Sequence, residues 1–416
     1  MDRTIWRNRN FVLLLLGGAF SGLGYRIYEI SISWFVIDLT GSSYLLGLLF
    51  AFWAVPNMIF MLVGGVSADK RNKIRIMVNS DLSRAFILLL LVILYATGSL
   101  KVWQLFLISM IFGISNALFV PSRDSLLPFL VSTDDIQKAN SNKELFHQIS
   151  CIAGPILAAF SIKLLGNGYA FLVPAIIIII SMVLIGSIQY KSKNEKSSNG
   201  GIGKSGFFKG IKTGFMTVKS KPSIVFLFIA MAIFNLGYFG PLMVGLPILS
   251  KSTLNVGVGG FSLLELALAI GMILGSVISS KVAFSKVGST IFLITMLSGI
   301  LFSFLGFSYS LPVSMCLLII IGGLVSIVNI LLYSTVQKQI PGESIGTVLG
   351  LLNFIVVGLD PITFFLSGLS YDLLPISIVF ILGGSLIFVV GFIGMLLKSI
   401  RFGIDHVGQM DRVETH

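Results

Sequence analysis

Gly64-Gly65-Val66-Ser67-Ala68-Asp69-Lys70-Arg71-Asn72-Lys73-Ile74-Arg75 is a short charged segment between two long apolar runs, 43–66 and 76–97. Apolar runs of that length predict membrane-spanning helices, so the segment between them is a tight loop at a membrane surface. Its small residues allow two helix ends to approach closely, and Asp69 suits a helix N-terminus. Its four basic residues favour the cytoplasmic side.

The composition of the whole chain agrees with a membrane protein. Of 416 residues, 55% are hydrophobic and 11% are charged, and the mean hydropathy is +0.98. Soluble domains carry about 25% charged residues, so a soluble protein is excluded. The formal charge of +12 is concentrated in alternate loops and is not interleaved with stacking aromatic residues, which argues against nucleic-acid binding.

Apolar runs of about 20 residues recur along the chain and predict an all-α membrane protein with twelve transmembrane helices. The predicted spans are 11–37, 43–67, 75–98, 102–122, 142–165, 168–190, 223–250, 260–281, 287–309, 312–336, 344–371 and 375–398. With the N-terminus inside, cytoplasmic segments carry 24 Lys or Arg residues and outside segments carry 3. This asymmetry predicts that both termini lie in the cytoplasm. We expect the protein in the plasma membrane.

The longest hydrophilic stretch divides the chain into two halves. We expect an N-terminal six-helix bundle at 1–190, a cytoplasmic linker at 191–222, a C-terminal six-helix bundle at 223–398 and a cytoplasmic tail at 399–416. Apolar spacing within 206–219 favours a helix that lies on the membrane surface, with a regulatory partner site as the alternative. Short matches between the halves, at 22–25 with 235–238 and at 154–156 with 360–362, indicate a duplicated unit.

Several local patterns resemble a known family. The spacing Gly65-x-x-x-Asp69-Lys70-x-Asn72-Lys73 resembles the loop 2–3 signature of the major facilitator superfamily, although Asn72 stands where that family usually has Gly. Span five is similar to the antiporter signature of the superfamily, through Ser150, Gly154, Pro155, Ala158 and Ala159. Generic packing of small residues is the alternative for that span.

Further matches at 102–103, 121–131, 154–155 and 265–275 are similar to the macrolide-efflux-like branch of drug:proton antiporters. The resemblance implies two pseudo-symmetric six-helix bundles with a substrate site between them. It also implies proton-coupled export of macrolides, other drugs or siderophores, with a role in drug resistance. Substrate identity does not follow from the fold.

Insertion of an ionisable residue into a membrane span costs about 2.5–3.5 kcal/mol. Each such residue is therefore expected to have a structural or functional role. Arg26 and Glu29 share a face of span one, where they form either a proton-coupling pair or a structural pair. Asp360 directly precedes Pro361 in span eleven. It is either a proton or cation site or a buried acid that is hydrogen-bonded to span seven. Glu265 in span eight is a second protonation site, a gate residue or a group that reaches the surface.

A second set of charges is predicted near the cytoplasmic face. The resemblance implies a gate in which Asp69 contacts the start of span eleven and Lys73 contacts Asp124, with static loop packing as the alternative. The residues of this predicted gate are Gly65, Asp69, Lys70, Lys73, Asp81, Arg84, Arg123 and Asp124.

Aromatic and amide side chains within the spans are candidates for a substrate-binding cavity with few polar anchors. The candidates are Tyr25, Tyr28, Asn116, Asn235, Tyr238, Asn329, Tyr333 and Asn353. Most other aromatic residues are expected to face lipid or to pack helices.

The function predicted from these features is secondary active export of an amphipathic or hydrophobic small molecule by alternating access. No Walker-type loop is present and the three histidines are scattered, so we expect no ATP use, metal, cofactor or enzymatic activity. Expected partners are a small-molecule substrate, protons and membrane lipids, for a monomer. The alternatives are an uptake or lipid-translocating carrier of the same fold and a non-transporting receptor or partner-binding membrane protein.

Overall fold

The computed structural model describes residues 3–70, 72–132, 135–189, 216, 218–282, 284, 286–340, 342–398 and 404. Side chains are described over the same residues except 3–4, 62–70, 137, 342–347 and 349–357.

Among the described residues, twelve long helices follow a single turn at Arg3–Trp6. They are α1 (Arg9–Thr40), α2 (Ser43–Lys70), α3 (Lys73–Ala96), α4 (Val102–Leu126), α5 (Ile136–Leu165), α6 (Leu172–Gly186), α7 (Pro222–Ile248), α8 (Gly257–Lys281), α9 (Val287–Leu305), α10 (Leu311–Gln339), α11 (Gly342–Leu373) and α12 (Ile376–Leu396). Counted over the described residues, 11 helices are long and apolar enough to cross a membrane. The predicted all-α membrane fold is confirmed.

Some boundaries differ from the prediction because apolar residues continue into irregular structure. The sixth span was predicted to begin at residue 168, but a 3₁₀ turn at Tyr169–Phe171 precedes α6. A second 3₁₀ turn, Leu127–Phe129, follows α4 where Pro128 interrupts the helical hydrogen bonds. After α7, which contains Pro241 and Pro247, residues Leu249–Thr253 form a π-helical turn.

The chain divides into two compact units. Unit 1 contains Met1–Ser198 and Val256–Leu266, and unit 2 contains Asn199–Asn255 and Ala267–His416. The first turns of α8 are thus grouped with α1–α6, whereas the remainder of α8 is grouped with α7 and α9–α12.

The same helix pairs pack together inside each unit. In unit 1, α1 packs on α5 and α6, α3 packs on α4 and α6, and α2 packs on α4. In unit 2, α7 packs on α11 and α12, and α9 packs on α10 and α12. Close glycine contacts join α8 to α10, where Gly271 lies against the backbone of Ile319. These five pairings match with an offset of six helices, as expected of a repeated unit.

Candidate functional site

An ion pair lies inside α1. Arg26 Nη1 and Glu29 Oε2 are 2.7 Å apart, and three residues of helix bring the two side chains onto one face. Their side chains are 30% and 17% exposed. Arg26 Nη2 also contacts Cys151 Sγ on α5 at 3.5 Å. The pair predicted from the sequence is therefore present, and its guanidinium reaches a second helix.

Close packing of α5 fixes the position of Arg26. A Cβ atom placed on Gly154 would lie 2.6 Å from Arg26 Cβ, so the absence of a side chain allows the two helices to approach. Ser150 Oγ donates to Ala19 O on α1 at 3.2 Å. Ala158 is fully buried and Pro155 is buried, whereas Ala159 is half-buried. These residues thus form part of the seam between α1 and α5.

Glu265 lies near the start of α8, in the part of that helix that belongs to unit 1. It is half-buried and interacts electrostatically with Glu29 and Arg26. It forms no hydrogen bond or ion pair with any residue that the structure describes. The structure therefore brings together Arg26, Glu29 and Glu265, three of the four predicted proton-coupling residues.

The fourth, Asp360, lies in unit 2. It is 7% exposed, and its Oδ1 accepts a hydrogen bond from Asn235 Nδ2 on α7 at 3.0 Å. Asn235 is also buried. This contact matches the second predicted role of Asp360, a buried acid that is hydrogen-bonded to span seven, which is α7. It also places Asn235 beside an acid.

A fully buried charge pair occupies the interior of unit 1. Arg84 Nη1 lies 3.3 Å from Asp81 Oδ1, and both side chains belong to α3. Ser21 on α1 donates to Asp81 Oδ1 at 2.9 Å, and Ser181 on α6 donates to Asp81 Oδ2 at 2.6 Å. Both carboxylate oxygens are thus hydrogen-bonded, as burial of a charge requires.

The same network continues to α4 and α2. Arg84 Nη2 donates to Asn116 Oδ1 at 3.4 Å, and Asn116 Nδ2 lies 3.5 Å from Asn57 Oδ1. The guanidinium also lies over the ring of Phe119, 5.2 Å from its centroid. The prediction that grouped Asp81 and Arg84 with the loop charges is therefore corrected: they bind helices together inside unit 1. The sequence showed Ser21 and Ser181 only as isolated small polar residues.

The charged cluster at the end of α4 also differs from the prediction. Asp124 Oδ1 lies 3.0 Å from Arg123 Nε and 3.1 Å from Lys143 Nζ at the start of α5. Lys73, which was expected to contact Asp124, lies over the ring of Phe129 at 5.4 Å instead. The carboxylate thus pairs with the nearer cation on α5. The side chains of Gly65, Asp69 and Lys70 fall outside the described part of the chain.

Asn72 has a structural role at the start of α3 that was not predicted from the sequence. Its side-chain oxygen accepts hydrogen bonds from the backbone N–H groups of Ile74 and Arg75 at 3.0 and 3.2 Å. It is therefore the N-cap of α3. The asparagine thus satisfies N–H groups at the helix start, which a glycine cannot do with a side chain.

The predicted substrate-binding side chains fall into two groups. Tyr28 is buried and stacks on Phe112 with ring centroids 3.7 Å apart, and Tyr238 is buried beside Phe302. These two side chains contribute to helix packing within their own units, whereas they were predicted to line a substrate cavity. The second group is partly exposed and contains Tyr25, Asn116, Asn329 and Tyr333. The side chain of Asn353 lies outside the described residues.

One small cleft lies in unit 1 between α1, α4 and α5. Its volume is about 30 Å³, and it is lined by apolar residues, including Phe11 and Leu15, and by Arg123, Lys143 and His147. A volume of that size holds a water molecule and not a drug-sized ligand. The cleft is therefore a local feature of the charged cluster.

Comparison with known proteins agrees with this architecture. Residues 14–359 match the family described as the Major Facilitator Superfamily. The chain is 22% identical over 396 residues to macrolide efflux protein A of Streptococcus pyogenes, covering 94% of this chain and 96% of that protein. It is 25% identical over 171 residues to the staphyloferrin A transporter of Staphylococcus aureus, covering 41% and 43%.

Solved structures show the same fold. The crystal structure of the nucleoside transporter NupG matches with a TM-score of 0.74 and 12% sequence identity, covering 93% of this chain and 98% of that chain. At that identity the similarity concerns the fold.

Proposed function

The chain belongs to the Major Facilitator Superfamily of membrane transporters, and from that premise we propose that it is a proton-coupled exporter of an amphipathic or hydrophobic small molecule. The proposal includes alternating access between the two halves and a multidrug-, macrolide- or siderophore-like substrate. It places the transporter in the plasma membrane as a monomer, with both termini in the cytoplasm.

The observation that carries the proposal is the ion pair of Arg26 and Glu29 inside α1, with Glu265 in electrostatic range. A charged group inside a span is costly, and such groups mark ion and proton pathways in transporters. Glu29 and Glu265 can each exist as a neutral acid, whereas Arg26 keeps its charge. The charge of the group therefore changes in single steps as protons bind and leave.

Similarity to an efflux protein favours export over uptake. The similarity to a macrolide efflux protein spans nearly all of both chains. The seam formed by Ser150, Gly154 and Pro155 has the arrangement of small residues that suggested an antiporter from sequence. The partial similarity to the staphyloferrin A transporter supports a siderophore-like compound as the narrower substrate class.

The entry of a single proton supplies enough energy to export the substrate against a concentration gradient. One elementary charge that moves through 100 mV supplies about 2.3 kcal/mol. Because 1.4 kcal/mol corresponds to a factor of ten, one proton sustains a substrate gradient of roughly fiftyfold. One titrating carboxylate per cycle is therefore enough.

The experiment that tests the proposal is transport by everted vesicles from a pump-deficient host that expresses this chain. We expect a panel of amphipathic drugs to show accumulation that depends on an imposed proton gradient and collapses with a protonophore. Accumulation in right-side-out vesicles indicates an uptake carrier, and movement of labelled lipid indicates a lipid-translocating carrier. No transport in either orientation indicates a receptor and overturns the proposal.

A further inference from the structure

The residues before α1 are fixed to the end of α4 in unit 1. Ile5, from the single turn at Arg3–Trp6, is 7% exposed and belongs to a buried apolar cluster with side chains of α1, α3, α4, α5 and α6. Asn8 is the N-cap of α1, and its Nδ2 donates a hydrogen bond to the backbone oxygen of Leu130, in the segment that follows α4. An apolar contact and a hydrogen bond thus close this end of the unit.

Unit 2 has the same arrangement before α7. Val218 is 6% exposed and belongs to a buried apolar cluster with side chains of α7, α9, α10 and α11. Lys221 is the N-cap of α7, and its Nζ donates a hydrogen bond to the backbone oxygen of Gln339, the last residue of α10. The spacing within 206–219 predicted a helix on the membrane surface, but the Val218 side chain of that segment packs into unit 2.

The two contacts occupy equivalent positions in the repeat. Val218 follows Ile5 by 213 residues (5 to 218), and Lys221 follows Asn8 by the same number (8 to 221). The first short sequence match between the halves has this offset as well (22 to 235). Each contact joins the residues before the first helix of its unit to the end of the fourth. Equivalent placement in both units indicates that the contact belongs to the repeated design of the fold.

Unit 2 differs in the origin of one further side chain. The cluster of unit 1 includes Ile188, two residues after the end of α6. The cluster of unit 2 includes Ile404, which is 1% exposed and comes from the C-terminal tail, eight residues after the end of α12. Eight residues span up to about 26 Å when extended, so Ile404 can leave the cluster while α12 stays in place.

We propose that Val218 and Lys221 of the linker and Ile404 of the tail form a strap that holds the end of α10 and the start of α11 against α7. Release of Ile404 allows the start of α11 to move. Val348, near the start of α11, is a fully buried member of the same cluster, which connects the strap to that helix. The effect of the strap on transport rests on the proposed exporter function, because α11 also carries Asp360.

The test is amide hydrogen exchange of the purified full-length protein in detergent, measured by mass spectrometry. A charge is not stable in an apolar cluster, so Ile404→Asp should release the strap. Exchange in the last two turns of α10 and the second turn of α11 should then be about tenfold faster, equivalent to about 1.4 kcal/mol. Ile404→Val keeps an apolar side chain and should behave as wild type.

Ile5→Asp is the matched variant in unit 1. It should accelerate exchange at the start of α1 and the end of α4 and leave α10 and α11 as in the wild type. Ile404→Ala removes most of the apolar side chain without adding a charge, so it should give a smaller acceleration in unit 2 and replaces Ile404→Asp if that variant does not fold. Wild-type exchange at α10 and α11 in the Ile404 variants would overturn the strap. Acceleration of equal size in unit 1 would overturn it too, because it indicates general destabilisation.

Transport separates the strap from the exporter function itself. In everted vesicles at matched expression, Ile404→Asp should lower the initial rate of gradient-driven efflux by about threefold or more, because conformational steps limit many transport and catalytic cycles. Wild-type efflux together with faster exchange would overturn the control of transport by the strap. If the wild type exports no compound of the panel, the exporter function is wrong, while hydrogen exchange still decides whether the strap holds α10 and α11.

Discussion

The carboxylate of Asp81 and the guanidinium of Arg84 lie 3.3 Å apart with side-chain exposures of 0% and 2%, and their hydrogen-bond partners come from three other helices. Asp81 is held by Ser21 of α1 and Ser181 of α6, and Arg84 donates to Asn116 of α4. A single pair on α3 thus connects four of the helices of unit 1. The pair is best understood as a structural centre of that unit.

Removal of one member of this pair should destabilise the protein. Asp81→Asn leaves the Arg84 charge buried without its counter-ion, at a cost of about 3–5 kcal/mol. Thermal unfolding in detergent should show a clearly lower Tm. The double variant Asp81→Asn with Arg84→Gln should recover part of the loss, because no charge is then left unpaired. Equal Tm values for the wild type and Asp81→Asn would contradict the assigned role.

Glu29 is expected to be required for proton coupling. Glu29→Gln keeps the size of the side chain and removes its carboxyl group, so the initial rate of gradient-dependent efflux should fall about tenfold or more, a barrier change of at least about 1.4 kcal/mol. The measurement is transport by everted vesicles at matched expression. Asp38→Asn serves as the control acid on the same helix. If Glu29→Gln retains coupling, Glu29 is a structural partner of Arg26.

Asp360 allows a test of coupling against helix packing. If Asp360 carries a proton, Asp360→Asn should abolish coupled efflux, and Asn235→Ala should leave coupling present because the acid remains. If the 3.0 Å hydrogen bond between the two side chains is structural, Asn235→Ala should lower Tm by an amount corresponding to about 1–3 kcal/mol, whereas Asp360→Asn should lower it less, because an amide oxygen can still accept the bond. Parallel measurements of efflux and Tm distinguish the two roles.

Asp124 is expected to function with Lys143. The two side chains are 41% and 25% exposed, so the pair contributes at most about 1 kcal/mol to stability, and transport is the more sensitive measurement. Lys143→Asp should impair transport, and the exchange of Asp124→Lys with Lys143→Asp should restore part of it. The exchange of Asp124→Lys with Lys73→Asp should not. Restoration by Lys73 and not by Lys143 would favour the pairing first expected from the loop signature.

Gly154 is expected to be essential for the seam between α1 and α5. Gly154→Ala places a Cβ atom 2.6 Å from Arg26 Cβ, and such overpacking costs about 1–3 kcal/mol. Gly22→Ala is the matched control, because the nearest atom to its new Cβ is Ser150 Oγ at 3.9 Å. Tm should fall in Gly154→Ala and stay near wild type in Gly22→Ala. A neutral Gly154→Ala would mean that the helices separate without loss of stability.

The fold was predictable because a helix that crosses the hydrocarbon core of a membrane needs about 20 apolar residues, and runs of that length are visible in the sequence. The pair of Arg26 with Glu29 was also predictable, since helical spacing alone brings residues three apart together. The partners of Asp81 were not, because Ser21 and Ser181 lie 60 and 100 residues away and small polar residues are common in spans. The exchange of Lys73 for Lys143 beside Asp124 depends likewise on tertiary packing that spacing does not reveal.

The five repeated helix pairings give each unit the same frame. Gly24 lies against Ile178 of α6, and Gly237 lies against the backbone of Gly383 of α12, so corresponding glycines serve corresponding seams. Unit 1 nevertheless contains the buried pair of Asp81 with Arg84, and unit 2 contains Asp360 beside Asn235. The two units thus share a scaffold while their polar interiors differ, which makes chimeras that exchange those interiors a direct way to learn what each unit contributes.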